Sequence, residues 1–526
     1  MPVEIQANTT GLAAGNYFAQ IFIQGQGASN SDQVVEIALT VLPANATVLP
    51  SISPTGLIFT AGGDSNPASQ TIQVSTPSSA TMTLAATPAE DNGTGWLEIT
   101  SSSESVSGSA PGSVTVAVNT GSLTAGVYTG SILLQLNSGS TYPVPVILVV
   151  PATSSPASAP LSAAKAVHSA AAQSACAPTQ LLPLSTSLGS NFKVTAGLPV
   201  PLTVQVTDDC GNPLTSGSVI ANFAGGDPTV TLIKSGNGTW TGTWWPRNVA
   251  GGLSAVVFNA TLFSPSLSGT TAVAGSVAAN ASVPIVGSGR VLSAASYAPG
   301  TPLSPGSFVA IFGSNLASGT SVALGMPLST TLAGTQVYLG SNLLPLQYVS
   351  PTQINAIVPY NAPVGAVQQL TVLRNGSPSP PETVIVTAAQ PAVFTQDESG
   401  AGAASVVDVK PDGTQFVVTA ANPASAGDTL LIYCTGLGAV TPAVPAGSVS
   451  PTGSPTNTTT LASVSIGGQT AQVSFSGLAP GYTGLYEVKA VVPSGISAGA
   501  SVPLVVSMGS TSGGPVSSPP VTIAIQ

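Results

Sequence analysis

The single histidine, His168, is where any catalytic reading of this chain has to begin. A Ser-His-Asp triad or a histidine-based metal centre needs its imidazole on a rigid support. His168 instead sits in an Ala/Ser-rich stretch without a core pattern. Two serine motifs imitate catalytic signatures. Gly495-Ile496-Ser497-Ala498-Gly499 fits G-x-S-x-G, whose serine acts from a strained strand-to-helix turn, but Pro493 precedes it and a strand pattern follows. Ser190 to Lys193 fits S-x-x-K, yet Lys193 opens a strand and the companion motifs of that enzyme class are missing. Both read as turn or strand chemistry, so no catalytic residue is assigned.

The carboxylates Glu90 and Asp91, Asp208 and Asp209, and Asp408 and Asp412 fall in or near turns. Turn oxygens are what Ca²⁺ prefers. None of them has the D-x-[DN]-x-[DN]-G spacing, and each reads equally as a solvated turn with a local side-chain bond. No metal and no cofactor is expected. An enzyme would need two carboxylates facing each other across a cleft.

Three cysteines are present. Cys176 and Cys210, 34 residues apart, bracket the first strands of one candidate domain, and in an oxidising compartment they could pin its first strand to a strand-end turn. Spacing alone does not guarantee the geometry. Cys434 stands where a duplicated segment has Gly313, which calls for a small buried residue.

Four tryptophans are the candidate ligand-binding residues. In Trp240-Thr241-Gly242-Thr243-Trp244-Trp245, a strand puts Trp240 and Trp244 on one face and Trp245 on the other. Exposed rings of this kind stack on sugars, whereas buried ones fill a sandwich core. Trp96 carries the same pair of readings.

These residues must be held by elements with an unusual composition. The chain has 526 residues, of which 57 are Gly and 46 Pro, about one residue in five. Charged residues supply 5%, against about 25% in an ordinary soluble protein. With 8 basic and 18 acidic side chains and a net charge of −10, the chain points away from nucleic acid and anionic membrane, and no nucleic-acid partner is expected. Mean hydropathy is +0.42, yet apolar runs such as 144–150 meet a proline within about ten residues, where a spanning helix needs roughly 20 apolar positions. Hydrophobic residues make up 43% and recur with period two, so the chain is read as all-β rather than disordered.

Repeats give the organisation. Residues 11–43 match 121–151, with Gly15 and Tyr17 aligned to Gly126 and Tyr128. The offset is that of one β-sandwich. Only the second copy has a front half, with strands expected near 56–60 and 70–75. The first copy reads as the C-terminal half of a domain. No signal segment precedes it, so the chain is expected to be a fragment of a longer exported protein or to carry a misassigned start. A strand-exchange partner completing that half-domain is the alternative. A second duplication aligns Gly306-Ser307-Phe308-Val309-Ala310-Ile311-Phe312-Gly313-Ser314-Asn315-Leu316 with 427–437.

Family resemblances follow these blocks. Gly95-Trp96-Leu97, Gly121, Leu123, Gly126, Tyr128, Gly130 and the strand at 143–150 resemble the BACON family of Ig-like modules over most of 51–151 and part of 1–43. That resemblance implies attachment to carbohydrate-active or adhesive proteins. The turn Asp208-Asp209-Cys210-Gly211-Asn212-Pro213 with Gly238-Thr239-Trp240-Thr241 resembles invasin/intimin-type bacterial Ig-like domains, which implies an extracellular spacer or adhesin module. Residues 291–526 resemble, as two IPT/TIG-like Ig folds, the C-terminal region of exported acidobacterial proteins, a family without assigned function. The blocks are Ala294-Ala295-Ser296-Tyr297, 311–316, 348–355, Asn422-Pro423-Ala424 and Thr435-Gly436-Leu437-Gly438.

The expected architecture is a tandem of Ig-like β-sandwiches joined by Pro/Ser/Ala-rich linkers. Its parts are a partial BACON-like sandwich at 1–46, a full one at 47–151, a linker at 152–175, a bacterial Ig-like sandwich at 176–285, and IPT/TIG-like sandwiches at 286–392 and 393–526. The expected function is non-catalytic: an extracellular or cell-surface spacer, adhesion or assembly element with no membrane span, whose partners are other surface proteins or glycans. The alternative is a carbohydrate-binding protein using exposed aromatics of the BACON-like or middle domain.

Overall fold

Alternation of apolar and polar side chains becomes sheet throughout. Strand Gly112–Val118 (GSVTVAV) buries every second residue, the behaviour of a strand with one face in a core. The computed structural model describes residues 7–23, 33–41, 49–62, 65–76, 80–121, 123–137, 139–152, 176–248, 253–509 and 514–526. The linker and His168 lie outside the described residues. Among the described residues the chain is all-β, and no helix is long and apolar enough to cross a membrane.

Contacts divide the chain into two compact units, Met1–Gly15 with Thr40–Ala279 and Asn16–Leu39 with Asn280–Gln526. Strands Gly15–Ile23 and Gln33–Val41 pair as a two-stranded sheet. They correspond to the repeat partners Gly126–Leu136 and Thr141–Val150, which pair antiparallel with Gly126 opposite Val150.

In the first unit, a five-stranded sheet runs from Leu57–Thr60 through Thr141–Val150, Gly126–Leu136 and Met82–Glu90 to Ser105–Val106. A four-stranded sheet of Ser51–Ser53, Gln70–Ser75, Gly112–Val118 and Leu97–Ser102 closes over it. Phe59, Ile72, Trp96, Val116, Ile132 and Leu148 fill the space between them. The next sandwich is one hydrogen-bonded path of eight strands, from Leu181–Ser185 to Phe192–Thr195. Its last strand pairs parallel with Leu267–Ala278.

The second unit contains two such cores. One gathers Val309, Ile311, Val337, Ile354 and Val372, and the other Leu430, Ile432, Val464, Tyr486 and Leu504. Strand Ile285–Ser293 pairs with Phe308–Ser314 in one sheet. The duplication reaches the backbone. Gly306 and Gly427 precede the matching strands Phe308–Ser314 and Thr429–Thr435 with φ of 76° and 91°, and Asn315 and Gly436 follow them at 54° and 79°. Each strand therefore enters and leaves through a left-handed residue, which Gly and Asn supply at least cost.

Candidate functional site

Three of the four tryptophans are sealed in cores. Trp96 is 0% exposed, Trp244 1% and Trp240 5%. Trp240 and Trp244 face inward together from strand Thr239–Trp244, opposite Val204 and Val200. Each indole N–H finds a partner, as buried Trp requires. Trp96 donates to the Asn92 carbonyl at 2.9 Å, Trp240 to the Leu214 carbonyl at 3.3 Å and Trp244 to Asp227 Oδ2 at 2.9 Å. Trp244 also stacks on Phe223 with ring centroids 4.6 Å apart. The binding reading of Trp96, Trp240 and Trp244 is thereby corrected, since a fully packed ring has no face to offer a sugar. Trp245 is half-buried and keeps that possibility.

The turn carboxylates serve the backbone. Glu90 accepts from the N–H groups of Gly95, Trp96 and Leu97 at 2.8, 2.7 and 2.8 Å. Burial works to raise its pKa, and these three bonds outweigh burial, leaving it below the ordinary value. Asp208 accepts from the N–H groups of Cys210 and Asn212, and Asp209 from Thr179. Asp412 accepts from Thr414 N–H at 2.9 Å. Buried Asp227 accepts from the N–H groups of Arg247 and Asn248, both at 3.1 Å. Among the described residues no group of three His, Cys, Asp or Glu side chains is placed to hold a metal ion.

Asp408 and Asp428 are two carboxylates that do meet, with the Lys410 ammonium between them. Lys410 Nζ lies 3.0 Å from Asp408 Oδ2 and pairs with Asp428 as well. Asp408 is 0% exposed, and burial pushes its carboxyl up against the pull of Lys410. Burial acts on Asp428 in the same sense, but Lys410 and the Ser425 N–H hold it below the ordinary value. This is a closed ion cluster rather than a pair poised over a cleft.

Cys176 and Cys210 are joined in a disulfide, with Cα atoms 5.7 Å apart. Cys434 is fully buried between Val393 and Tyr486, and burial pushes its thiol well up, away from the thiolate a nucleophile needs. Ser497 lies between a turn and strand Gly499–Met508, in a concavity walled by Gly467, Gln469 and Ile496 with no acid or base. Lys193 is exposed on strand Phe192–Thr195.

The geometry instead gathers side chains in a cleft of about 310 Å³ in the second unit. Its aromatic walls are Tyr297, Phe308, Phe394 and Tyr482. Its polar walls are Gln347, Asn355, Thr395, Glu398 and Thr483. Tyr482 is 58% exposed, and the other three rings are half-buried, so all four keep surface that the core tryptophans lack. Phe308, Gln347 and Asn355 come from the neighbouring strands Phe308–Ser314, Leu346–Val349 and Gln353–Ile357 of one sheet, and the other named residues from the connections between strands. Burial raises the Tyr297 hydroxyl pKa first, and the neighbouring Glu398 carboxylate raises it further. Two residues of this cleft, Tyr297 and Glu398, have φ of 50° and 56°, a left-handed conformation disfavoured for such side chains.

Sequence reasoning placed Tyr297 in the Ala-Ala-Ser-Tyr block but gave it no role. Nothing periodic links it to Phe394 or Tyr482, so the cleft has no signature along the chain. The positive φ values are its clearest mark, and they exist only in three dimensions.

No protein-family model matches the chain, and no curated protein matches it in sequence. Among solved structures, it is similar to the Bacteroides ovatus mixed-linkage glucan utilization locus protein SGBP-B in complex with a mixed-linkage heptasaccharide, at 15% identity over 65% of this chain and 70% of that one, with a TM-score of 0.30. It is similar also to the fibronectin(III)-like modules of Clostridium thermocellum CbhA, at 14% identity over 44% and 95%, with a TM-score of 0.15. The Escherichia coli adhesin FdeC is similar at 13% identity over 64% and 96%, with a TM-score of 0.14. At such TM-scores none of these likenesses bears on function.

Proposed function

We propose that this chain is a non-catalytic string of Ig-like sandwiches that works outside the cell or at its surface, as a spacer, adhesion or assembly element. The observation that carries the reading is the use of its acids. Glu90, Asp208, Asp209 and Asp227 are committed to backbone N–H groups, and Asp408 and Asp428 to Lys410. A carboxylate held this way is a poor proton carrier. The domains proposed are those at 47–151, 176–285, 286–392 and 393–526, with the BACON, invasin/intimin and IPT/TIG resemblances as their family assignments. Strand addition at the two-stranded sheet of 15–41 is the corresponding route to assembly.

Antibody against the intact chain, applied to unpermeabilised cells of its source, tests the location. Labelling at the surface or recovery in the medium is expected, and a signal confined to the cell interior would refute it.

A second reading, carbohydrate binding, is favoured by the aromatic rings that stay out of the cores, Trp245 and the four of the cleft. A glycan array separates it from a purely structural role.

A further inference from the structure

We propose that the cleft formed by Tyr297, Phe394, Tyr482, Gln347, Asn355 and Glu398 binds a neutral saccharide, by ring stacking on the aromatics and hydrogen bonds from the sugar hydroxyls to the amides and the carboxylate. This rests on the carbohydrate-binding reading and gives it a place and a ligand class.

Size and wall chemistry come first. A volume of about 310 Å³ sits at the small end of ligand pockets, which run from roughly 300 to 1,000 Å³. It suits a short oligosaccharide. Aromatic faces left half-open are a standing cost in water, which a ligand with an apolar face of its own relieves. A pyranose ring offers such a face in its C–H groups, with hydroxyls around the rim.

Charge then selects among ligands that like aromatic walls. Neither Lys nor Arg lines the cleft, and Glu398 is its one charged side chain. Phosphate, sulfate and uronate groups would meet an uncompensated carboxylate there. An alkylammonium would suit the rings and the carboxylate by cation–π attraction. A quaternary ammonium would nevertheless leave the amides of Gln347 and Asn355 facing a group that neither donates nor accepts, and unmatched polar groups weaken binding. Sugar hydroxyls both donate and accept, as side-chain amides do. No described residue hydrogen-bonds the side chains of Gln347 or Glu398, so both are free to take them.

Backbone strain points to the same place. The non-glycine residues with positive φ are Asn137, Asn191, Asn315 and Asn375, together with Ala333, Tyr297 and Glu398. Asn takes the conformation at little cost, whereas Tyr and Glu adopt it only under strain. Both of these line the cleft. Tyr297 is fixed by its N–H bond to the Ser293 carbonyl at 2.9 Å, and Glu398 by its bond to the Thr395 carbonyl at 3.2 Å. The two loops touch closely: a Cβ on Gly400 would stand 2.3 Å from the Ser296 carbonyl oxygen. Such packing presents both side chains before a ligand arrives, which reduces the ordering cost of binding.

The test uses the intact chain on an array of neutral gluco-, manno- and galacto-oligosaccharides, with uronates and sulfated glycans alongside. Calorimetry with the best neutral glycan follows, at low and high salt. Tyr482→Ala and Gln347→Ala change exposed residues, so folding is preserved. Tyr482→Ala is expected to weaken binding about tenfold or more. Gln347→Ala should weaken it several-fold, Trp245→Ala should leave it unchanged, and salt should have little effect. Binding of a neutral glycan that is lost in Trp245→Ala and kept in Tyr482→Ala would overturn the cleft while sparing carbohydrate binding. No neutral glycan bound would overturn both. A salt-sensitive response to tetramethylammonium, in place of any sugar, would overturn the ligand class.

Discussion

The Glu90 carboxylate takes three backbone N–H groups in the turn that delivers Trp96 to its core. Its pKa lies below the ordinary 4.5, so the folded state binds its proton less readily than the unfolded one. The stability it adds is therefore present above about pH 4.5 and is lost as pH falls through the lower folded value. Glu90→Gln should cost about 1–2 kcal/mol at neutral pH, after screening at this half-exposed site, and should flatten the acid limb of stability against pH. Denaturant melts at neutral and acid pH check both effects. Trp244→Ala should cost more, about 3–5 kcal/mol, because it empties the site against Phe223 and strands Asp227. An exposed ring would cost little, so the same melt separates core from surface. At this scale the sequence was partly legible. Period two put Trp240 and Trp244 on one face correctly, but which face met the core was set by the partner strand at Val200 and Val204.

Strands and their connections were the most legible level. The expected strand at 70–75 is Gln70–Ser75, and the duplicated strands appear as Phe308–Ser314 and Thr429–Thr435. Period-two burial and glycine turns are local signals, so one sequence suffices to read them. The cleft depends on which loops meet at the ends of strands far apart in sequence. No local pattern records that. The Cys176–Cys210 bond also belongs to this scale, since it ties the segment before Leu181–Ser185 to the turn after Val200–Asp208. It closes a loop of 34 residues, for which chain entropy gives about 3–4 kcal/mol of stabilisation. The double variant C176S/C210S should lower the melting temperature of the eight-stranded sandwich that carries both cysteines accordingly. Reductant should have the same effect on the original chain and none on the variant. Cys434 should stay unlabelled by thiol reagents until unfolding.

Over the whole molecule, scarce charge and abundant Gly and Pro express one design: many short strands, many tight turns and surfaces made of Ser, Thr, Asn and Gln. In the second unit the two sandwiches are joined by buried bonds. Ser304 Oγ donates to the Gly436 carbonyl at 3.1 Å, Phe308 N–H to Thr435 Oγ1 at 2.8 Å, and the Tyr486 hydroxyl to the Pro305 carbonyl at 3.4 Å. A fragment spanning 280–526 should therefore melt in one cooperative transition, while 286–392 and 393–526 made separately should each be markedly less stable. Calorimetry on the three fragments decides this, and two independent transitions within 280–526 would contradict it. The central claim, that this chain holds and does not transform what it meets, is tested most directly by mass spectrometry of a neutral oligosaccharide pool incubated with the intact chain. The account predicts an unchanged distribution of chain lengths at every time point, and a time-dependent appearance of shorter products would contradict it.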